Sequence, residues 1–148
     1  MTNYDRVAKW LETAGKEKTP ENLAVQVGVH IEEFTELLMA INLTSPTGAM
    51  ANVLIEAKMI LEMVATGLKT GVFGVEIHDR EAVLDALCDA DVTGNGIAYL
   101  AGFDKNGADK EVLDSNDSKF EDGKAVLAPG GKILKGCNYK APDLTPFV

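Results

Sequence analysis

The sequence has few cysteines, few aromatic residues and no long apolar run. Cys88 and Cys137 are the only cysteines among 148 residues, which is too few for a disulfide framework and is typical of a reducing compartment. No stretch approaches the roughly 18 consecutive apolar residues that a membrane-spanning helix needs. We therefore expect a cytoplasmic protein with a hydrophobic core and no membrane partner.

Basic residues are also scarce, and the formal net charge is −9. The acidic excess lies in residues 1–104, which hold 16 Asp and Glu against 7 Lys and Arg, whereas residues 105–148 hold 7 of each. Binding to a nucleic-acid backbone is not expected, because no basic face is available to replace its counterions. The pattern favours an acidic body that binds cations and a lysine-rich tail that contacts anions.

Helical periodicity dominates the first two thirds of the chain. Apolar residues recur at helical spacing, Thr19-Pro20-Glu21 is typical of a helix start, and glycines such as Gly15 end the patterns. The length predicts a single domain. We predict an all-α fold, a four-helix bundle with an irregular C-terminal tail that holds at most a small hairpin. The predicted helices span 3–14, 20–43, 47–69 and 80–103. Residues 1–104 are predicted to form the helical body, and residues 105–148 a tail that covers the substrate.

Two carboxylate clusters lie inside predicted helices: Glu32-Glu33-Phe34-Thr35-Glu36 in the second and Asp85-Ala86-Leu87-Cys88-Asp89 in the fourth. Residues three or four apart share one face of a helix, where like charges repel, so folding alone gives no reason for this spacing. Converging carboxylates bind hard cations such as Mg²⁺ or Mn²⁺, which usually also hold substrate phosphates. The alternative is a pair of solvent-exposed acidic faces.

The pattern Glu32-Glu33-x-x-Glu36, followed by an acidic motif that ends at Asp89, resembles the EExxE…ExxD motif of the MazG-like, all-α nucleoside triphosphate pyrophosphohydrolases. The tail is similar to the C-terminal signature of a phage and bacterial branch that is often labelled phosphoribosyl-ATP pyrophosphohydrolase-like. The resemblance covers roughly residues 20–145. The matching tail stretches are Ser115–Phe120, Gly131–Tyr139 and Pro142–Leu144.

The resemblance implies hydrolysis of a (deoxy)nucleoside triphosphate to the monophosphate and pyrophosphate, with Mg²⁺ or Mn²⁺ and two or three ions possible. By position, Glu33, Glu36 and Asp89 would bind metal, and Glu32 would be a ligand or would orient water. Glu32, Glu33 and Glu36 are the candidate catalytic residues.

The chain departs from the family pattern in its second motif. The Glu of ExxD falls at Ala86, and Asp85, four residues before Asp89, is the expected substitute ligand. The favoured substrate is dGTP or GTP, with dUTP or dCTP next, and true phosphoribosyl-ATP hydrolysis ranks lower. The host cytoplasm is the expected location if a phage encodes the chain.

Substrate contacts are expected mainly from the tail. Lysines there are candidates to contact phosphates, asparagines to read a base edge through their amides, and Trp10 to stack on a base, although packing in the core is the more common role of a tryptophan. The candidates are Trp10, Asn116, Lys119, Lys132, Lys135 and Asn138.

A homodimer or homotetramer is expected, because the predicted fourth helix is dense in small residues and residues 50–64 present a wide apolar face. A different class of function stays open. The chain could be a non-catalytic helical protein, regulatory or antitoxin-like, that uses its acidic face to bind a basic partner. Such a protein would not need Glu33, Glu36, Asp85 and Asp89 to converge.

Overall fold

A computed structural model describes residues 1–41, 51–128 and 133–148. Helices predominate, which confirms the all-α class; the four-helix bundle and the family fold stay a prediction. The predicted end of the second helix at 43 and start of the third at 47 lie outside the described residues. The elements are α1 (Asn3–Thr13), α2 (Pro20–Ala40), α3 (Ala51–Lys69), α4 (Arg80–Ala101), α5 (Lys105–Asp117), β1 (Phe120–Glu121), β2 (Lys124–Ala125) and a 3₁₀ helix (Thr145–Phe147).

The helices begin where side chains can accept hydrogen bonds from the first free backbone N–H groups. Thr2 and Asp5 form a reciprocal capping box at α1. Thr19 Oγ1 accepts from the N–H of Asn22 at 3.2 Å before α2, with Pro20 in the first turn. Asp79 caps α4 through the N–H of Ala82 at 2.9 Å. These local signals explain why three of the starts could be placed from sequence.

The described chain divides into two compact units. Residues 18–77, here called the helix-pair unit, contain α2 and α3. Residues 1–17 with 78–148, here called the tail unit, contain α1, α4, α5 and the C-terminal segment. The boundary predicted at residue 104 therefore lies inside the tail unit, and the single-domain assignment stays a prediction.

Small residues let α2 and α3 approach closely in the helix-pair unit. Ala24, Gly28 and Thr35 are the buried positions of α2, and Ala65 and Leu68 are buried on α3. A Cβ atom at Gly28 would lie 2.8 Å from the backbone oxygen of Ala65 and 3.1 Å from the Cβ of Leu68. Only glycine therefore permits this separation of the two helices.

Helix α5 contradicts the prediction that residues 105–148 are irregular apart from a small hairpin. Asp104 Oδ1 accepts from the N–H of Gly107 at 3.0 Å, and Lys105 pairs with Asp109 at 2.7 Å within one helical turn. Capping and this i,i+4 pair compensate for a polar sequence with weak helix propensity. The predicted tail thus begins with a helix that contacts α1, α4 and the 3₁₀ helix.

The tail contains a small hairpin, and both of its strands lie within 120–126, one of the two stretches, 120–126 and 131–134, in which the sequence predicts at most a hairpin. β1 pairs with β2 in antiparallel register, Phe120 opposite Ala125. The two-residue turn between them is Asp122-Gly123, with positive φ of 49° and 74°, the conformation that Asp-Gly favours in a type I′ turn. Farther along, Leu127 bridges Ile133.

Within the described residues, no helix is long and apolar enough to cross a membrane.

Candidate functional site

A cleft of about 400 Å³, here called the charged cleft, lies between α2 and α3 in the helix-pair unit. Thr35, Met39, Ala65 and Thr66 form part of its wall. Its charged lining comes from both helices: Glu32, Glu36, Lys58, Glu62 and Lys69.

Two ion pairs organise the charged cleft. Lys69 Nζ lies 2.7 Å from Glu32 Oε1, and Lys58 Nζ lies 3.5 Å from Glu62 Oε1. The paired side chains keep between 29% and 53% of their exposure, so solvent screens both pairs and each is readily exchanged for another partner. Glu36 is exposed and has no ion-pair partner in the described part of the chain. It is therefore the carboxylate most available to a cation.

The charged cleft brings together two of the three glutamates in the acidic stretch of α2. Glu32 and Glu36 line the cleft together, four residues apart, whereas Glu33 is exposed on α2 and is not part of the lining. The position of α3 explains why Glu32 lines the cleft. Helix α3 packs against the face of α2 that carries Ala24, Gly28 and Thr35. Glu32 lies on the same face, because it follows Ala24 and Gly28 at intervals of four residues. A metal-binding role for Glu33 stays a prediction.

The donor set fits a cation held jointly with a substrate better than a preformed metal centre. No group of three or more His, Cys, Asp or Glu side chains is placed to hold a metal ion among the residues that the structure describes. Magnesium, however, usually takes one or two protein carboxylates and completes its octahedron with waters and substrate phosphates. Glu32 and Glu36 can supply these two carboxylates.

The second predicted acidic cluster lies in the tail unit. Asp85 and Asp89 are exposed on α4, which Asp79 caps at its start. Glu33 and Glu36 belong to the helix-pair unit, and their convergence with Asp85 and Asp89 stays a prediction.

Three predicted substrate-binding residues of the tail unit lie together. Trp10 Nε1 donates to the backbone oxygen of Asn116 at 2.9 Å, and its ring stacks on Phe120 with centroids 5.6 Å apart. Lys119 Nζ donates to Asn116 Oδ1 at 2.8 Å and lies 5.8 Å from the centre of the Trp10 ring. Trp10 thus has the packing role that the sequence left open, and base contacts by Trp10, Asn116 and Lys119 stay predictions.

The remaining candidates lie farther along the tail. Lys135 Nζ lies 4.6 Å from the centre of the Tyr139 ring, a cation–π contact. Asn138 lines an open groove with Asp114, Asp117 and Lys140 among others. Lys132 lies outside the described residues.

Hydrogen bonds fasten residues 137–140 to the end of α5 and to the hairpin. Ser115 Oγ donates to the backbone oxygen of Lys140 at 2.7 Å, and the N–H of Lys140 donates to Ser118 Oγ at 2.8 Å. The N–H of Cys137 donates to Glu121 Oε1 at 2.5 Å. This hydrogen bond lowers the pKa of Glu121, because it stabilises the carboxylate.

The α3 side of the charged cleft is formed by residues that were not predicted from the sequence: Lys58, Glu62 and Lys69. Lys58 and Glu62 stand four residues apart, a spacing that signals an ion pair on one helix face. Lys69 is the basic residue of the last turn of α3, where a helix dipole favours a cation. Either signal could have marked this face as polar, but neither one places it opposite Glu32.

Comparison with known proteins adds no relative. No family model, no curated protein and no solved structure matches the chain.

Proposed function

We propose that this chain is a metal-dependent nucleoside triphosphate pyrophosphohydrolase, which converts a (deoxy)nucleoside triphosphate and water to the monophosphate and pyrophosphate. The observation that carries the proposal is the joint presence of Glu32 and Glu36 in one cleft with Lys58 and Lys69. Carboxylates for a cation and ammonium groups for phosphates are the two kinds of group that phosphoryl chemistry needs. The EExxE spacing and the tail signature support the same reaction.

The dimensions of the charged cleft agree with a small-molecule site. Its volume of about 400 Å³ falls within the 300–1,000 Å³ that is typical of such sites. The charged side chains that line it are three glutamates and two lysines. A triphosphate that enters with its cation therefore meets partners for both charges.

Binding would rearrange the ion pair between Lys69 and Glu32. A phosphate oxygen that accepts a hydrogen bond from Lys69 Nζ leaves the Glu32 carboxylate available to the cation. Glu36 forms no ion pair with the described residues that would have to break, so it can hold the cation directly or accept the proton of the attacking water. A bound Mg²⁺ or Mn²⁺ would supply charge neutralisation and a more acidic water.

The favoured substrates are dGTP and GTP, followed by dUTP and dCTP. A direct test is incubation with all eight common nucleoside triphosphates, each with Mg²⁺ or Mn²⁺, with pyrophosphate release as the readout. Release of pyrophosphate from at least one nucleotide, slowed on the order of 100-fold by Glu36→Gln, is the expected result. Release of orthophosphate alone, or no release with any nucleotide, contradicts the proposal.

A homodimer or homotetramer is part of the proposal. Support comes from α4, on which Leu84, Leu87 and Val92 keep 64%, 51% and 68% of their exposure, more than a helix usually leaves to water. Light scattering at micromolar concentration should give at least twice the monomer mass of 15.8 kDa.

The same exposed side chains of α4 favour the second candidate function, a non-catalytic helical regulatory or antitoxin-like protein. The two functions differ in what Glu36→Gln does. A binding module releases no pyrophosphate with or without this carboxylate, whereas the enzyme loses turnover when it is neutralised.

A further inference from the structure

A second cleft, of about 410 Å³ and here called the apolar cleft, lies beside the charged cleft in the helix-pair unit. Met63, Val72 and Phe73 give it apolar walls. Glu62 and Thr66 line both clefts. The two clefts therefore adjoin along α3, and a molecule with a charged end and a flat apolar end can occupy both.

Phe73 is held in place before any ligand arrives. The N–H of Phe73 donates to the backbone oxygen of Gly67 at 3.0 Å. One edge of the phenyl ring rests directly on Gly67, where a Cβ atom would overlap ring atoms Cδ2 and Cε2. The left-handed Gly71, with φ of 77°, makes the turn that brings the chain back to this position.

The ring of Phe73 is nevertheless accessible. The residue keeps 47% of its exposure. A phenylalanine that served only to cover the end of α3 would contribute more to folding stability if it were fully buried. A ring that is fixed at one edge and open to a cleft can stack with a planar ligand without further loss of conformational freedom.

We propose that Phe73 is the stacking platform for the nucleobase of the substrate, with the phosphates in the charged cleft and the sugar between them at Glu62 and Thr66. The inference rests on the proposed function and specifies its substrate: a base joined through a sugar to a polyphosphate. Bases of every kind have a π-face, so Phe73 supplies affinity without choosing among them. Choice of base then belongs to groups with directional hydrogen bonds.

The test measures equilibrium binding to the full chain in the presence of Mg²⁺ by calorimetry. One ligand is the α,β-methylene analogue of dGTP, which carries the base but resists cleavage at the α–β bond. The other is inorganic tripolyphosphate, which carries only the charge. Phe73→Leu should weaken the analogue on the order of tenfold, the usual loss for one base stacked on an aromatic ring, and should leave tripolyphosphate unchanged. Phe73→Trp should bind the analogue at least as tightly as the wild type.

Phe103→Leu is the matched control, because Phe103 is 48% exposed and lines neither cleft. It should alter neither affinity. If Phe73→Leu weakens both ligands equally, or weakens neither, Phe73 is not a platform and the inference is wrong. If Phe73→Leu fails to fold, Phe73→Trp decides, and a loss of analogue affinity in that variant overturns the inference.

The result separates this inference from the proposed function. A wild-type chain that releases pyrophosphate while Phe73→Leu binds the analogue normally contradicts the stacking assignment alone. A chain that binds the analogue through Phe73 but releases no pyrophosphate contradicts the enzymatic function alone. A chain that binds neither ligand contradicts both.

Discussion

The helix-pair unit and the tail unit are organised by different kinds of contact. In the helix-pair unit, small residues such as Gly28 and Ala65 bring two long helices together, and the charges collect in a cleft beside the contact. In the tail unit, α5 is a short polar helix whose side chains hold the following segment by hydrogen bonds, as Ser115 and Ser118 hold Lys140. Close packing of small residues therefore holds the helix-pair unit together, and hydrogen bonds between polar groups hold the C-terminal segment of the tail unit.

Because of this difference, the two units should be destabilised by different kinds of substitution. Close packing fails when an atom is added, because a filled interior cannot yield without moving backbone. Polar pairing fails when a donor or acceptor is removed or changes its protonation state. The same type of substitution should therefore have unlike effects in the two units.

The largest effect is expected in the charged cleft. Glu36→Gln should lower the rate of pyrophosphate release on the order of 100-fold, because the proposed cation would lose the carboxylate that no described lysine pairs with. Folding stability should hold, since Glu36 is exposed and the change relieves repulsion by Glu32. Glu56→Gln, on α3 but outside the lining, is the control and should keep full activity. Wild-type turnover in Glu36→Gln would remove Glu36 from the site.

The next effect is on the contact between α2 and α3. Gly28→Ala should lower the free energy of unfolding by about 1–2 kcal/mol, because the methyl group meets the backbone oxygen of Ala65 and overpacking outweighs the better helix propensity of alanine. Gly96→Ala, in α4 with nothing within 4 Å of the new atom, should raise it by about 0.5–1 kcal/mol. Urea denaturation of both variants checks the opposite signs, and equal signs would contradict the packing argument.

A smaller effect should be confined to the tail. Ser115→Ala removes the donor to the backbone oxygen of Lys140, a hydrogen bond made by a buried side chain, and should cost about 1 kcal/mol. Hydrogen exchange should speed up in the segment around Lys140 and not in α2 or α3. Thr93→Ala, whose hydroxyl donates to the backbone oxygens of Asp89 and Ala90 in its own helix, is the control and should leave the tail protected. Uniform loss of protection would contradict the local role of Ser115.

The smallest effect depends on pH. The pKa of Glu121 is lowered by the hydrogen bond from the N–H of Cys137, so the carboxylate stabilises the folded state above its ordinary pKa of 4.5. That contribution is lost as the pH falls through the lower, folded-state pKa. Exchange protection of the Cys137 amide, corrected for intrinsic rates, should therefore decline below about pH 4.5. Glu121→Gln should remove this pH dependence, and a variant that keeps it would show that another group is responsible.

Helix starts could be predicted closely from the sequence, whereas α5 could not. Thr19-Pro20 and Asp79 are strong local start signals, and Gly15 is a strong stop. The sequence of α5 contains eight residues of low helix propensity among its 13, namely its Asn, Gly, Asp, Val and Ser residues. It is helical because Asp104 caps it and because the 3₁₀ helix near the C-terminus packs on it, a contact that local propensity does not show.

The helix that carries the candidate site could be predicted from the sequence, but the face of that helix that lines the cleft could not. The spacing of Glu32, Glu33 and Glu36 indicates an acidic stretch of α2, and two of the three line the cleft. Which two depends on where α3 packs, a property of Gly28 and Ala24 rather than of the glutamates. Lys69 is 33 positions beyond Glu36, and no local pattern connects residues so far apart.

The surroundings of Trp10 make its intrinsic fluorescence a probe of the contact between α1 and the tail. Trp10 is the only tryptophan, so ultraviolet emission excited near 295 nm comes from one indole. That indole stacks on Phe120, is hydrogen bonded to the backbone of Asn116 and lies near the ammonium of Lys119. Release of the tail from α1 would expose the ring to water and shift its emission to longer wavelength. The fastening of the tail can therefore be followed in solution, in real time and without an added label.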